Sequence, residues 1–328
     1  MQLRTFAGGP ARVSEVGLGT WQFGGTEWGN LDEGDALGTL KAAADAGITF
    51  LDTADIYGLG RSERLIGRFM RERPGSSPFV ATKLGKNPDP GGSANFTLAS
   101  FRKHTEDSLQ RLGVEVLDLQ QMHCVPLEQL QRGEVFDWLR TLQREGKIKR
   151  WGASVESDEE AKVCLAQDGL ASLQIIFNIY RQKPIADLFD EAKREGVAIV
   201  VRLPLASGLL SGRYKKTTTF APTDHRTFNR NGEKFNVGET FAGLPFERGV
   251  ELTEELKAIL PPGDLAQWAL RWCLDFDAVT VVIPGARNAE QARSNAAASD
   301  LPPLSPETHK RLREFYELKV AGLIRGAY

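Results

Sequence analysis

Eight short apolar runs, each closed by turn residues and each separated from the next by room for a helix, constrain this chain more than any other feature. They fall at residues 16–20, 48–52, 78–82, 116–122, 150–155, 172–177, 197–203 and 278–283. Runs of this length read as buried strands, and amphipathic patterns lie between them. A helix after each strand returns the chain to start a parallel neighbour, so the order predicts one parallel sheet. Eight repeats of the unit favour closure into a (β/α)8 TIM barrel over an open doubly wound sheet.

The helical stretches carry their own start and stop signals. Leu37, Leu40 and Ala44 share a face within 35–46, before Gly47. Thr97 is placed to begin a helix whose stripe Leu98, Phe101, Leu109 and Leu112 ends at Gly113. Ser157 with Glu160 reads as a capping box, Phe189 and Ala192 precede Gly196, and Trp268 and Trp272 share a later face. These stripes read as core. Three segments lie outside the repeat: a hairpin over 2–16 turning at Gly8, Gly9 and Pro10, a long connection over 206–250 after strand seven, and a C-terminal helical extension near 306–319. The 328 residues exceed the ~250 typical of such a barrel by about these additions, so residues 1–328 are read as a single domain.

In such barrels the reactive side chains come from the C-terminal ends of the strands. Asp52 and Tyr57 in FLDTADIYG, Lys83 in FVATKLG and His123 in LQQMHC fall there, Tyr57 five residues past Asp52 in the loop after strand two. Each alone has an ordinary reading as a cap, a core phenol, a solvated charge or a satisfied histidine. Together they have a joint reason to meet. Free tyrosine is a weak acid with a pKa of about 10; a neighbouring ammonium favours its phenolate, and a carboxylate holds that ammonium in place. Asp52 would hold Lys83, Lys83 would acidify Tyr57, and His123 would donate a hydrogen bond to a substrate carbonyl oxygen.

Composition removes several other classes. A formal net charge of −2 gives no electrostatic reason to expect nucleic acid or an acidic membrane surface. No window has the apolar length of a membrane span, and MQLRTFAGG lacks a signal peptide's apolar stretch. Cys124, Cys164 and Cys273 are odd in number and widely spaced, which fits neither a disulfide framework nor a CxxC metal site. Four histidines without an HxH or HExxH pair speak against a metal-dependent hydrolase. A cytoplasmic protein without a metal is the expectation.

From GLGTWQFGG (17–25) to IPGARNAEQARSN (283–295) the chain resembles the aldo-keto reductases over nearly its whole length. That family's Asp, Tyr, Lys and His tetrad falls on Asp52, Tyr57, Lys83 and His123. The resemblance implies reduction of aldehydes or ketones with NADP(H), with Tyr57 as general acid and a small carbonyl compound as partner. It implies that Gly19, Thr20, Trp21 and Asp52 lie against the cofactor and that Trp21, Tyr57 and His123 line the substrate pocket. Ser154 and Gln174 match the residues that bind the nicotinamide carboxamide, although each would also serve as an ordinary cap or core polar group. LPLASGLLSGRY (203–214) resembles the pyrophosphate belt, bringing Leu205, Gly208, Ser211 and Arg213 to phosphate. Gly285, Arg287, Gln291 and Asn295 match the adenosine end, where the Arg287 guanidinium suits a 2′-phosphate and so favours NADPH. GLGRSE (58–63) lacks the GxGxxG spacing and is rejected as a dinucleotide motif.

Two positions depart from the common pattern. Arg202 stands where an aromatic ring often stacks on nicotinamide, and Ser294 stands where an acid commonly contacts adenine. Trp28, the loop 219–247 and the tail near Tyr328 are further candidates for the substrate wall. Potassium-channel β subunits also resemble this chain, through PLASGLLSGRY and IPGARNAEQ, so an NADP(H)-binding sensor or regulatory subunit is the alternative. Oligomeric state is left open.

Overall fold

A computed structural model describes residues 1–25, 27–29 and 31–326. Two antiparallel strands, β1 (Leu3–Thr5) and β2 (Arg12–Ser14), precede eight parallel ones. These are β3 (Leu18–Gly19), β4 (Phe50–Asp52), β5 (Phe79–Leu84), β6 (Leu119–His123), β7 (Trp151–Ser154), β8 (Leu170–Ile176), β9 (Ala198–Arg202) and β10 (Val279–Val282). Each pairs with its sequence neighbours. The Gly17 N–H donates to Val282 O at 2.8 Å and the Val282 N–H to Glu15 O at 2.9 Å, which joins the last strand to the first and closes the (β/α)8 barrel. All eight apolar runs of the sequence become its strands.

Capping explains where the helices start. Thr97 accepts the Ser100 N–H before helix Leu98–Leu112, and Gly113 ends that helix in the left-handed region. Ser157 and Glu160 form the reciprocal capping box of helix Asp158–Leu165. The first barrel helix begins at Glu33, two residues before its expected start, because Asp32 accepts the Asp35 N–H as N-cap. The C-terminal extension is helix Pro306–Phe315, continued by a wider turn through Val320. Among the described residues no helix is long and apolar enough to cross a membrane.

Two chemically different layers fill the barrel. At the bottom, Phe6 and Val13 of the hairpin region pack with Phe50, Phe79, Leu119, Val200 and Val281. The Phe6 ring lies 4.8 Å from Phe79 and 5.7 Å from Phe50, so the hairpin plugs that end. Toward the strand C-termini the interior turns polar, with Asp52, Lys83, Gln121, Ser172 and Gln174 all buried.

Removing the plug's ring leaves a cavity the barrel bottom cannot refill. Phe6→Ala is expected to lower equilibrium stability by about 3–5 kcal/mol in chemical denaturation, and a loss under 1 kcal/mol would mean that the hairpin does not seal the barrel.

Candidate active site

Parallel pairing puts the polar residues in register before any side chain is considered. Lys83 stands beside Gln121, His123 beside Ser154, and Ser154 beside Gln174. Gly19 pairs with Asp52, so the loops that follow β3 and β4 rise together. Gly58, at a φ of 60°, comes so close to Gly24 that a Cβ there would sit 2.1 Å from the Gly24 carbonyl oxygen. That contact sets the Tyr57 loop against Trp21, whose ring stacks 6.1 Å from the phenol. The rejected GLGRSE string has a structural task here: Arg61 donates to the carbonyls of Phe23 and Leu31 and ties down the loop after β3.

One continuous hydrogen-bonded chain runs through the site. Lys83 Nζ donates to Asp52 Oδ1 at 2.5 Å, to Thr53 O at 2.9 Å and toward Tyr57 Oη at 3.3 Å, which uses all three ammonium protons. The second carboxylate oxygen of Asp52 accepts from Gln174 Nε2 at 2.7 Å, and Gln174 Oε1 faces Ser154 Oγ at 3.4 Å. The His123 ring meets the phenol edge-on at 5.8 Å. Sequence reasoning expected an acidified Tyr57. The direction is the reverse: burial first, then the negative charges of Asp52 and Glu239, push the phenol well above its ordinary value of 10.0. Asp52 neutralises the ammonium at closer range than Lys83 reaches the phenol, so little is left to draw out the proton. His123 is held well below 6.5 by burial and by Lys86, Lys83 and Arg202. The site therefore holds a neutral phenol and a neutral imidazole side by side.

Every site residue expected from the sequence except Lys83 lines a single cavity of about 520 Å³. Lys83 lies beneath it, 1% exposed. Gly19, Thr20, Trp21, Asp52, Tyr57, His123, Ser154, Gln174 and Arg202 surround its floor, while Leu205, Gly208, Ser211, Arg213, Gly285, Arg287, Gln291 and Asn295 extend it outward. Two of the outer residues have local duties as well. Gln291 Oε1 accepts the Arg287 N–H at 2.9 Å, and Asn295 Nδ2 donates to Gly285 O at 3.2 Å. Ser294 lines the same end and accepts from Gln267.

The volume falls in the range of cofactor sites, roughly 300–1,000 Å³. Leu203, Ala206, Ser207 and Gly208 all adopt positive φ along the cavity wall. Three non-glycine residues held in that region within six positions are a local cost that packed structure tolerates mainly at binding sites. With Arg213 and Arg287 at one end, this wall fits a phosphate-bearing dinucleotide.

Several lining residues carried no signal in the sequence. Lys86, Arg226, Glu239, Asp264 and Glu290 line the cavity, three of them far from any strand end. Arg202, which stands where an aromatic ring often stacks, is paired: one guanidinium nitrogen donates to Glu239 and another to Val155 O at 2.8 Å. Trp28 and Phe235 do join Trp21 as the expected aromatic wall, with His225 between them at 4.3 Å from Trp28 and 4.9 Å from Trp21. Tyr328 lies outside the described residues. Cys124, Glu156 and Glu239 bring a thiol and two carboxylates within 4.8 Å of one another, but Arg202 and Lys86 already neutralise those carboxylates.

Comparison with known proteins gives a consistent answer. The family model described as the aldo/keto reductase family matches residues 15–317. The aldo-keto reductase YhdN of Bacillus subtilis is 30% identical over 299 residues, covering 89% of this chain and 86% of its own. The NADH-specific methylglyoxal reductase of Escherichia coli is 28% identical over 304 residues, covering 88% and 90%. The structure of the glycerol dehydrogenase AKR11B4 from Gluconobacter oxydans superposes with a TM-score of 0.80 at 29% identity, over 99% of this chain and 98% of its own.

Behind the Tyr57 loop, Asp55 is 1% exposed, and its oxygens meet only weak contacts from the Ile56 N–H and the Asn87 side chain, none of good hydrogen-bond geometry. Burial first, then the nearby Glu63 carboxylate, raise it from 3.8 to about 7 against the opposing pull of Arg111. A raised folded-state value means that the native state holds a proton the unfolded chain has lost. Stability therefore falls as pH rises from about 4 to about 7 and stays reduced above that window. Asp55→Asn should raise stability by up to about 4 kcal/mol at about pH 8, with the gain fading toward about pH 4 in calorimetric scans. A gain independent of pH would rule out the titration as its cause.

Proposed function

Because the chain belongs to the aldo/keto reductase family, we propose that this oxidoreductase reduces aldehydes or ketones to alcohols with NADPH, using Asp52, Tyr57, Lys83 and His123. The observation that carries the reading is the neutral phenol held 3.3 Å from a buried ammonium, beside a neutral imidazole, at the base of a dinucleotide-sized cavity. The bound nicotinamide would supply the hydride. Tyr57 then gives its proton to the carbonyl oxygen as that oxygen becomes an alkoxide, a base strong enough to take it from an ordinary or weakened phenol. Lys83 stabilises the phenolate left behind, and Asp52 fixes Lys83 through a 2.5 Å ion pair. His123, neutral above its lowered value, donates a ring N–H to the same oxygen and excludes water from it.

Ser154 and Gln174 would hold the carboxamide, which requires the Gln174 amide to share its present bond to Asp52. Arg213 and Arg287 would hold the phosphates. A guanidinium gains more from a 2′-phosphate than from a hydroxyl, which supports NADPH over NADH. The Escherichia coli relative's stated NADH specificity makes the opposite preference the competing outcome. Residues 1–328 are read as one domain, and a cytoplasmic location belongs to the same reading.

Following NADPH oxidation against aliphatic, aromatic and dicarbonyl compounds tests the assignment. Tyr57→Phe should keep cofactor affinity and lose on the order of 10²- to 10⁴-fold in turnover; undiminished turnover would defeat the mechanism, and binding without turnover on any compound would favour a sensor. Because Tyr57 titrates above 10.0 and His123 below 6.5, the reductive kcat/KM should be flat between those limits, and a limb near neutrality would mean that a different group carries the proton. Arg287→Ala should weaken NADPH by roughly tenfold more than NADH, measured as dissociation constants; equal losses would remove Arg287 from cofactor choice.

A further inference from the structure

The 206–250 segment sends a single carboxylate to the floor of the reaction site. Glu239 belongs to a short turn, Val237–Glu239, and reaches Arg202 at the end of β9. Both residues are buried, and Ser207 fixes the segment by donating to Glu239 O at 3.1 Å and accepting the Phe241 N–H at 3.1 Å. Arg202 is anchored on its other side by Val155 O. The opposing influences on Glu239 are burial, which works to raise its value, and the cations Arg202 and Lys86, which prevail and keep it ionised. Lys86 has a counterion of its own, Glu156 at 3.8 Å. The four charges form two opposed pairs, so loss of Glu239 leaves one uncompensated cation in the floor.

That cation would act where the chemistry happens. The charge of Arg202 is felt at both Tyr57 and His123. A hydride donor must lie in contact with the carbon whose oxygen those two groups address, so the nicotinamide ring shares the floor with Arg202. The reduced ring is neutral and the oxidised ring carries a positive charge; the rest of the cofactor is the same in both. An effect confined to the floor therefore changes the ratio of the two affinities, whereas an effect on the phosphates changes both alike.

We propose that Glu239, carried by the 206–250 segment, is the residue that lets this site hold oxidised cofactor, by neutralising Arg202 beside the nicotinamide ring. This rests on the NADP(H) reading above. With Glu239 in place the floor is electrically balanced and both redox forms bind. Without the Glu239 carboxylate the Arg202 cation would stand uncompensated and selectively disfavour the oxidised form. The pairing also gives the arginine at this position a task different from that of an aromatic platform.

The test is the ratio of dissociation constants for NADP+ and NADPH, measured by fluorescence titration at low ionic strength without substrate. Glu239→Gln should raise the ratio by about tenfold, and Arg202→Gln, which leaves the carboxylate unbalanced, should lower it by a comparable factor. The double variant Arg202→Gln/Glu239→Gln should return within about twofold of the wild type. Retained NADPH binding shows that each variant is folded, and either single variant suffices if the other does not fold. Equal weakening of both forms would assign Glu239 to loop anchoring and overturn the proposal, as would an unmoved ratio. Wild-type protein that binds neither form would overturn the functional reading itself.

Discussion

A lysine ammonium at the centre of a closed barrel is the demand around which the upper half of this molecule is organised. Removing such a charge from water costs several kcal/mol, and only a close counterion with full hydrogen bonding offsets it. Lys83 obtains both from Asp52 and the Thr53 carbonyl. Asp52 in turn has its free oxygen met by Gln174, with Gln121 at 3.5 Å. Asp52, Lys83, Gln121 and Gln174 lie on four different strands, so satisfying one charge requires β4, β5, β6 and β8 to be in register at once. The polar layer that serves the chemistry is thereby also a test of correct barrel closure. The bottom layer has no such requirement, since Phe6, Phe50 and Phe79 only need to exclude water.

The architecture was legible because parallel strands buried on both sides must be nearly continuous apolar runs, and turn residues punctuate them. Each of the eight runs became a strand, and Thr97, Gly113 and the Ser157–Glu160 box became caps for the same local reasons that made them visible. The tetrad was legible for a related cause. Its members sit at strand ends or within a short loop, where spacing along the chain translates directly into position in space. The place of LPLASGLLSGRY in the cavity wall was legible only through resemblance, since the segment has no periodicity that distinguishes it from an ordinary loop.

What escaped the sequence was pairwise. Arg202 and Glu239 are 37 residues apart, and no local rule says that one will neutralise the other. The same holds for His225, whose N–H donates to Glu27 O at 2.8 Å and so joins the loop after β3 to the loop after β9. Gln291 looked like a ligand-facing residue on a polar helix face, yet it also caps the turn at Arg287. Tyr57 shows the limit most directly. Its neighbours were identified correctly, but the sign of its shift depends on burial and on a 2.5 Å ion pair nearby, and neither can be read from spacing.

The direction of that shift bears on which way the chemistry runs. A general acid must hold its proton at the start of reduction, and a general base must be without it at the start of oxidation. A phenol whose loss of a proton lies above 10.0 begins every neutral-pH cycle loaded. Burial, which looks unfavourable if tyrosine is thought to need acidifying, keeps the proton available until an alkoxide appears to claim it. The ammonium then contributes where it matters, beside the phenolate that has just formed, and not in the resting state. The arrangement of Asp52, Lys83 and Tyr57 thus keeps the phenol protonated at neutral pH, and that resting state follows from the dielectric setting of one hydroxyl group.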